Sequence, residues 1–146
     1  MTSTARLSEI AKSQPHAAYA AFIHGEQHRY TYFLRTITNI SSCLQPLDDI
    51  ITTKFIPSIF GSEPTEAERE VFSLPIKDGG LGMRFVSKNA DVSYNASRDI
   101  TKPLVEKITC QSNKLPGHAE ELNVKSTAIS KLKSQEKACI LDIKSK

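Results

Sequence analysis

Apolar residues recur along this chain at the three- and four-residue spacing of helices, with prolines and glycines between the runs. In "PHAAYAAFIHGEQHRYTYFLRTI", Pro15 suits a first helical turn and the alanines favour its continuation. Ala18, Phe22, Tyr30, Phe33 and Ile37 fall roughly on one face, and Gly25 marks a break or kink. "SSCLQPLDDIITTKFIPSIF" predicts a second helix, capped by Ser42 and with Pro46 early in it. Its apolar side is Leu44, Leu47, Ile51, Phe55 and Ile59, and Pro57 is expected to end or bend it. Thr65 followed by Glu68 is a capping-box pattern. It opens a short helix with Val71, Phe72 and Leu74 on its apolar side, stopped by Pro75.

"LPIKDGGLGM" comes next and holds three of the six glycines, Gly79, Gly80 and Gly82. Beyond it Ser87 is the expected cap of one helix, and "TKPLVEKITCQ" predicts a restart with Thr101 as cap and Pro103 in the first turn. Residues 119–142 form a polar helical segment with a narrow stripe of Leu122, Ala128, Ile129, Leu132, Ala138 and Leu141. Neither an internal repeat nor a strand pattern stands out. The expected fold is all-α: an irregular bundle of about five to six helices, a Gly-rich turn near 79–82 and a long polar C-terminal helix. Residues 1–111 read as one helical domain and 112–146 as a lysine-rich, loosely packed tail.

Composition adjusts this picture in three ways. The 146 residues suffice for one core, yet the apolar share is only 39% and tryptophan is absent, which fits a thin core or dependence on neighbouring protein. No apolar run approaches the roughly 18 to 20 residues of a membrane span, and "MTSTARLSEIAKSQP" lacks a signal-peptide core. Cys43, Cys110 and Cys139 are odd in number and far apart, as reduced thiols of an intracellular protein would be, with cytoplasm and nucleus undistinguished. Charge is uneven: residues 1–76 carry six Lys/Arg against eight Asp/Glu, and residues 77–146 carry thirteen against eight. The net +5 of the second part suits an anionic partner.

Candidate chemistry is sparse. Asp48 and Asp49 are adjacent, but neighbours on a helix point about 100° apart, so they read as solvated acids in a helix's first turns rather than as a metal pair. His24 and His28 have the i, i+4 spacing of zinc ligands, but Gly25 stands where a metalloprotease needs glutamate, and further ligands do not follow. No cysteine has a base at a spacing that would activate it. The glycine cluster lacks the Lys-Ser/Thr of a P-loop and the strand of a dinucleotide fingerprint. It reads as a turn needing positive φ and close packing, with Lys77 and Arg84 beside it for contact with phosphate.

Several stretches together point to one family: "SQPHAAYAAF", "RTI", "LQPLDD", "KFIP", "LP" with "GGLG", and "ITKPLV". In order and spacing they resemble the segment that follows the polymerase palm in animal retrotransposon reverse transcriptases, over about residues 3 to 111. The chain departs from it at Tyr30, where tryptophan is expected, at Thr38, where proline is common, and at Met83-Arg84-Phe85 after the glycines. The resemblance implies a helical thumb-like or connection architecture beside a palm domain, close to the template–primer duplex. It implies no catalysis by this chain alone, because the aromatic-x-Asp-Asp hairpin is absent and Asp48-Asp49 matches an acidic helix position instead. No cofactor and no metal are expected. The expected contacts with an RNA or DNA backbone are Lys77, Arg84, Lys88, Arg98 and Lys102, and the other expected partner is a palm domain or a partner helix.

Overall fold

A computed structural model describes residues 3–112 and 117–145. The described chain is helical throughout and contains no strand, as the all-α pattern requires. Its helices join into six rods among the described residues. Helix α1 is Ser3–Ala11. Helix α2, Pro15–Ala21, runs through a π turn at Phe22–Glu26 into α3, Gln27–Arg29, and on to α4, Thr31–Thr36. Helix α5, Ser41–Ile50, runs through a second π turn, Ile51–Phe55, into α6, Ile56–Phe60. Then come α7, Glu66–Ser73, α8, Ala90–Thr109, and α9, His118–Ser145.

The core forms where the two π turns meet. Phe22 and Phe55 face each other with ring centroids 4.7 Å apart. Ile51, Ile56 and Met83 join them with no exposed surface, flanked by Ala11, Ala18 and Val86. Burying each large side chain contributes about 1.5–3 kcal/mol. Helix α1 packs across both π-containing rods. Helix α8 lies against α4 on one side and α9 on the other.

The two π turns fall in the first two expected helices, and the expected apolar side of the second, Leu44, Leu47, Ile51, Phe55 and Ile59, packs on the core. A π turn inserts one residue and rotates everything after it by about 100°. Beyond the first one, Tyr30 packs on the core as expected and Leu34 joins it, whereas the expected Phe33 and Ile37 are 47% and 45% exposed. Gly25 sits within that turn, at the expected kink. The second π turn stands directly before Pro57, whose ring would crowd the carbonyl four residues back in a regular helix. The rod continues through Pro57 to Phe60 instead of stopping.

Other expectations change for equally local reasons. Helix α5 starts at Ser41, after Ile40, with no side-chain cap, so Ser42 lies in its first turn. The Thr65–Glu68 capping box forms as expected. Val71, however, is exposed, and Arg69 on the same helix is buried. Thr101 caps nothing: α8 is continuous, the Thr101 hydroxyl donates back to the carbonyls of Ser97 and Arg98, and Pro103 lies inside the helix. On α9 only part of the expected stripe packs. Ala128 is buried and Leu132 half-buried, while Leu122, Ala138, Ile129 and Leu141 are exposed.

Candidate nucleic-acid interface

The glycine turn is held from inside. After α7 the chain enters a short 3₁₀ turn, Ile76–Asp78. Gly79 and Gly82 take φ of +89° and +69°, which side-chain-bearing residues resist. Gly80 is required for another reason: a Cβ there would stand 2.1 Å from the carbonyl oxygen of Leu74. Every backbone N–H from Asp78 to Arg84 donates within the protein. Asp78 and Gly80 bond the Pro75 carbonyl, Gly79 that of Ile76, and Gly82 that of Leu74. Leu81 and Met83 both bond the Phe72 carbonyl at 3.3 and 3.0 Å, and Arg84 bonds the Gly82 carbonyl and Gln27 Oε1. The Tyr19 hydroxyl donates to the Leu81 carbonyl at 2.8 Å, tying the turn to α2.

The direction of these amides decides between the two uses of glycine. An anion nest needs amides aimed outward. Here they are consumed inward, so any phosphate contact at this turn falls to the side chains of Lys77 and Arg84, both exposed.

The exit of the turn is fastened by a buried polar pair. Asp48, expected to be solvated in first turns, is 2% exposed and lies near the C-terminal end of α5. Its two carboxylate oxygens accept the backbone N–H groups of Val86 at 2.8 Å and Ser87 at 2.9 Å. Asp49, one residue on, points to solvent. Asp48 thus ties down the turn that leads into α8, and α8 itself begins without a side-chain cap. Ser87 is itself buried, and the N-cap position of α8 is Asn89. Arg69 completes the site: its Nη1 donates to the Met83 carbonyl at 2.6 Å and its Nε to Thr52 Oγ1 at 3.1 Å. The guanidinium carbon stands 3.9 Å from the Phe85 ring centroid, and Lys88 Nζ stands 4.1 Å from the same centroid. Burial pulls the Arg69 pKa down to about 10 against a Coulombic lift from Asp48, so the side chain stays cationic at neutral pH.

A second buried carboxylate, Glu26, anchors α1 to the first π turn. Tyr30 OH donates to it at 2.9 Å, Arg29 Nη1 at 3.2 Å and Thr4 Oγ1 at 3.4 Å. Burial pushes the Glu26 carboxyl up, but hydrogen bonds from Ser3, Tyr30 and Arg29, with the Arg29 charge, outweigh it and hold it below the usual range. Tyr30 is pushed up, first by its own burial and then by the bond to Glu26.

The five expected contact residues are exposed, but they do not form one cluster on a single element. Lys77 lies in the 3₁₀ turn, Arg84 just beyond the glycines and Lys88 in the bend before α8. Arg98 and Lys102 follow one turn apart along α8. Arg98 borders a cleft of about 370 Å³ between α8 and α9, whose wall also carries Asp91, Asp99 and Lys131. Lys102 stands 3.9 Å from Glu106, an exposed pair of little energetic weight. His24 and His28 are exposed, and no group of three or more metal-ligating side chains meets among the described residues. Cys43 and Cys110 are exposed free thiols, and the Cys139 side chain lies outside what is described.

Asp48, Arg69 and Glu26 are the residues that sequence reading missed as structural fasteners. The only signal for Asp48 was its place in an otherwise apolar face, four residues after Leu44 and three before Ile51. Compared with family models, curated proteins and solved structures, the chain matches none. No described helix is long and apolar enough to cross a membrane.

Proposed function

We propose that this chain is a noncatalytic helical segment, akin to the one that follows the palm in animal retrotransposon reverse transcriptases. Its role is to meet the sugar–phosphate backbone of a template–primer duplex without reading sequence. The reading is supported by Lys77, Arg84, Lys88, Arg98 and Lys102, all exposed within the part of the chain that carries net +5. Because the glycine-turn amides bond internally, the contact runs through side chains, and lysine or arginine there serves as a point charge or phosphate fork. The chain acts only as part of a larger RNA-directed polymerase.

The test is binding of the full chain to a DNA–RNA hybrid across a salt series. Affinity should fall steeply with salt. Lys77→Ala with Arg84→Ala should weaken binding and flatten the salt slope by about one for each phosphate no longer neutralised. Absence of binding at low salt sinks the reading.

A second reading, a helical protein-interaction module, draws on a different observation. Leu104, Val105 and Ile108 on α8 are 40%, 54% and 66% exposed, and Leu122 and Leu141 on α9 are exposed as well. A palm domain or a partner helix would cover such residues. An isolated chain that sediments as a monomer and melts in one sharp transition would count against that dependence.

A further inference from the structure

Residues 27–47 contain no aspartate or glutamate, and hold Arg29 and Arg35 with His28. Within this acid-free stretch α4 turns two aromatic rings outward. Tyr32 is 70% exposed and Phe33 47% exposed, their centroids 5.7 Å apart and their planes at 77°. On α4 it is Leu34 that packs on the core, which leaves the neighbouring Tyr32 and Phe33 outward. Arg35 on the same helix is exposed, as is His28 one turn before Tyr32. Arg29 is already committed to Glu26 at 3.2 Å. Helix α4 lies against α8, which bears exposed Lys102 and also Asp91, whose carboxylate accepts the Ser41 hydroxyl at 3.2 Å.

We propose that the outer edge of α4 is a stacking platform for a single-stranded nucleic acid. Tyr32 and Phe33 receive the faces of unpaired bases, and Arg35 and His28 accompany the backbone. Exposed aromatic rings stack on any base, because every base has a π face, and the surrounding cations hold the strand. The stretch itself contributes no carboxylate to repel a polyanion, which favours a nucleic-acid strand as the occupant of the rings. The inference rests on the reading that this chain meets nucleic acid. It differs in ligand, unpaired bases rather than duplex phosphates, and in residues.

The experiment compares two probes of equal charge with the full chain at low salt: an oligothymidylate of about twenty nucleotides and an abasic phosphodiester of the same length. Fluorescence anisotropy should give roughly tenfold tighter binding to the oligothymidylate. The Tyr32→Ala/Phe33→Ala pair should erase that difference, and Tyr32→Phe with Phe33→Trp should keep it. Both substituted side chains are exposed, and circular dichroism checks that the helices persist. Lys77→Ala with Arg84→Ala should weaken both probes alike. Equal affinity of the unsubstituted chain for the two probes overturns the platform and leaves the backbone reading standing. So does an alanine pair that binds oligothymidylate unchanged, which would assign the aromatic edge to a protein partner. Failure to bind either probe overturns both.

Discussion

The half of the molecule around the two π turns and the outer pair α8–α9 are built on different principles. Around the π turns, Phe22, Phe55, Ile51, Ile56 and Met83 are closed off to 1% exposure or less. Two buried carboxylates, Asp48 through Val86 and Ser87 and Glu26 through Thr4, bind segments distant in sequence to that core. Along α8 and α9, Ala90 and Ala128 are the only buried apolar residues among those described, and large aliphatic side chains stand in solvent. One half is specified by packing and by buried polar groups that bond across the fold, although Arg69 Nη2 is buried without a hydrogen-bond partner among the described residues. In the other, α9 is rich in the helix formers Lys, Glu, Ala and Leu, whereas α8, with Pro103 inside it, is held by its contacts with α4 and α9. The exposed cations proposed to meet nucleic acid sit at the seam, carried by a turn that the first half holds in place and by the helix that follows the turn.

The contrast breaks most visibly at the aromatic centre. Phe55→Ala should cost about 3–5 kcal/mol by denaturant unfolding, for both the forfeited transfer energy and the cavity beside Phe22. Asp48→Ala comes next, at about 2–4 kcal/mol, since it strands the Val86 and Ser87 amides and leaves Arg69 without its nearest compensating charge. Amide exchange should then accelerate at the start of α8, whereas Asp49→Ala should stay within about 0.5 kcal/mol. Gly80→Ala should cost about 1–3 kcal/mol because the Leu74 carbonyl must move away from the added Cβ, and Gly25→Ala should be neutral or slightly stabilising.

Acid unfolding sharpens the same contrast. Glu26 has a folded pKa below its unfolded value, so its contribution is complete above the unfolded carboxyl pKa and disappears as pH falls through the lowered one. Glu26→Gln should therefore reduce stability at neutral pH by about 1 kcal/mol and shrink the loss below about pH 4. The smallest effect belongs to the outer pair. Leu122→Ser or Ile129→Ser should change stability by less than about 0.5 kcal/mol, and a loss several times larger would mean that α9 is packed more fully than its exposed residues indicate.

Much of the architecture was legible from residue spacing. Helical periodicity, the capping box at Thr65 and Glu68, the glycine turn and the polar last helix all follow from interactions within a few residues, which a linear pattern records directly. Phase and partnership were not legible. That Leu34 rather than Phe33 turns inward, and that Phe22 meets Phe55, depends on contacts between rods that spacing along one helix does not record.

The same limit governs the candidate site. Spacing correctly made Gly79, Gly80 and Gly82 a turn and left Lys77 and Arg84 at its edges. It could not say that the turn's amides point inward, because their acceptors are carbonyls of Phe72, Leu74 and Pro75 brought back by the fold. Nor could it separate Asp48 from Asp49. Adjacent helical residues differ by about 100° in direction, and only the approach of Val86 and Ser87 decided which carboxylate was buried and which was left to water.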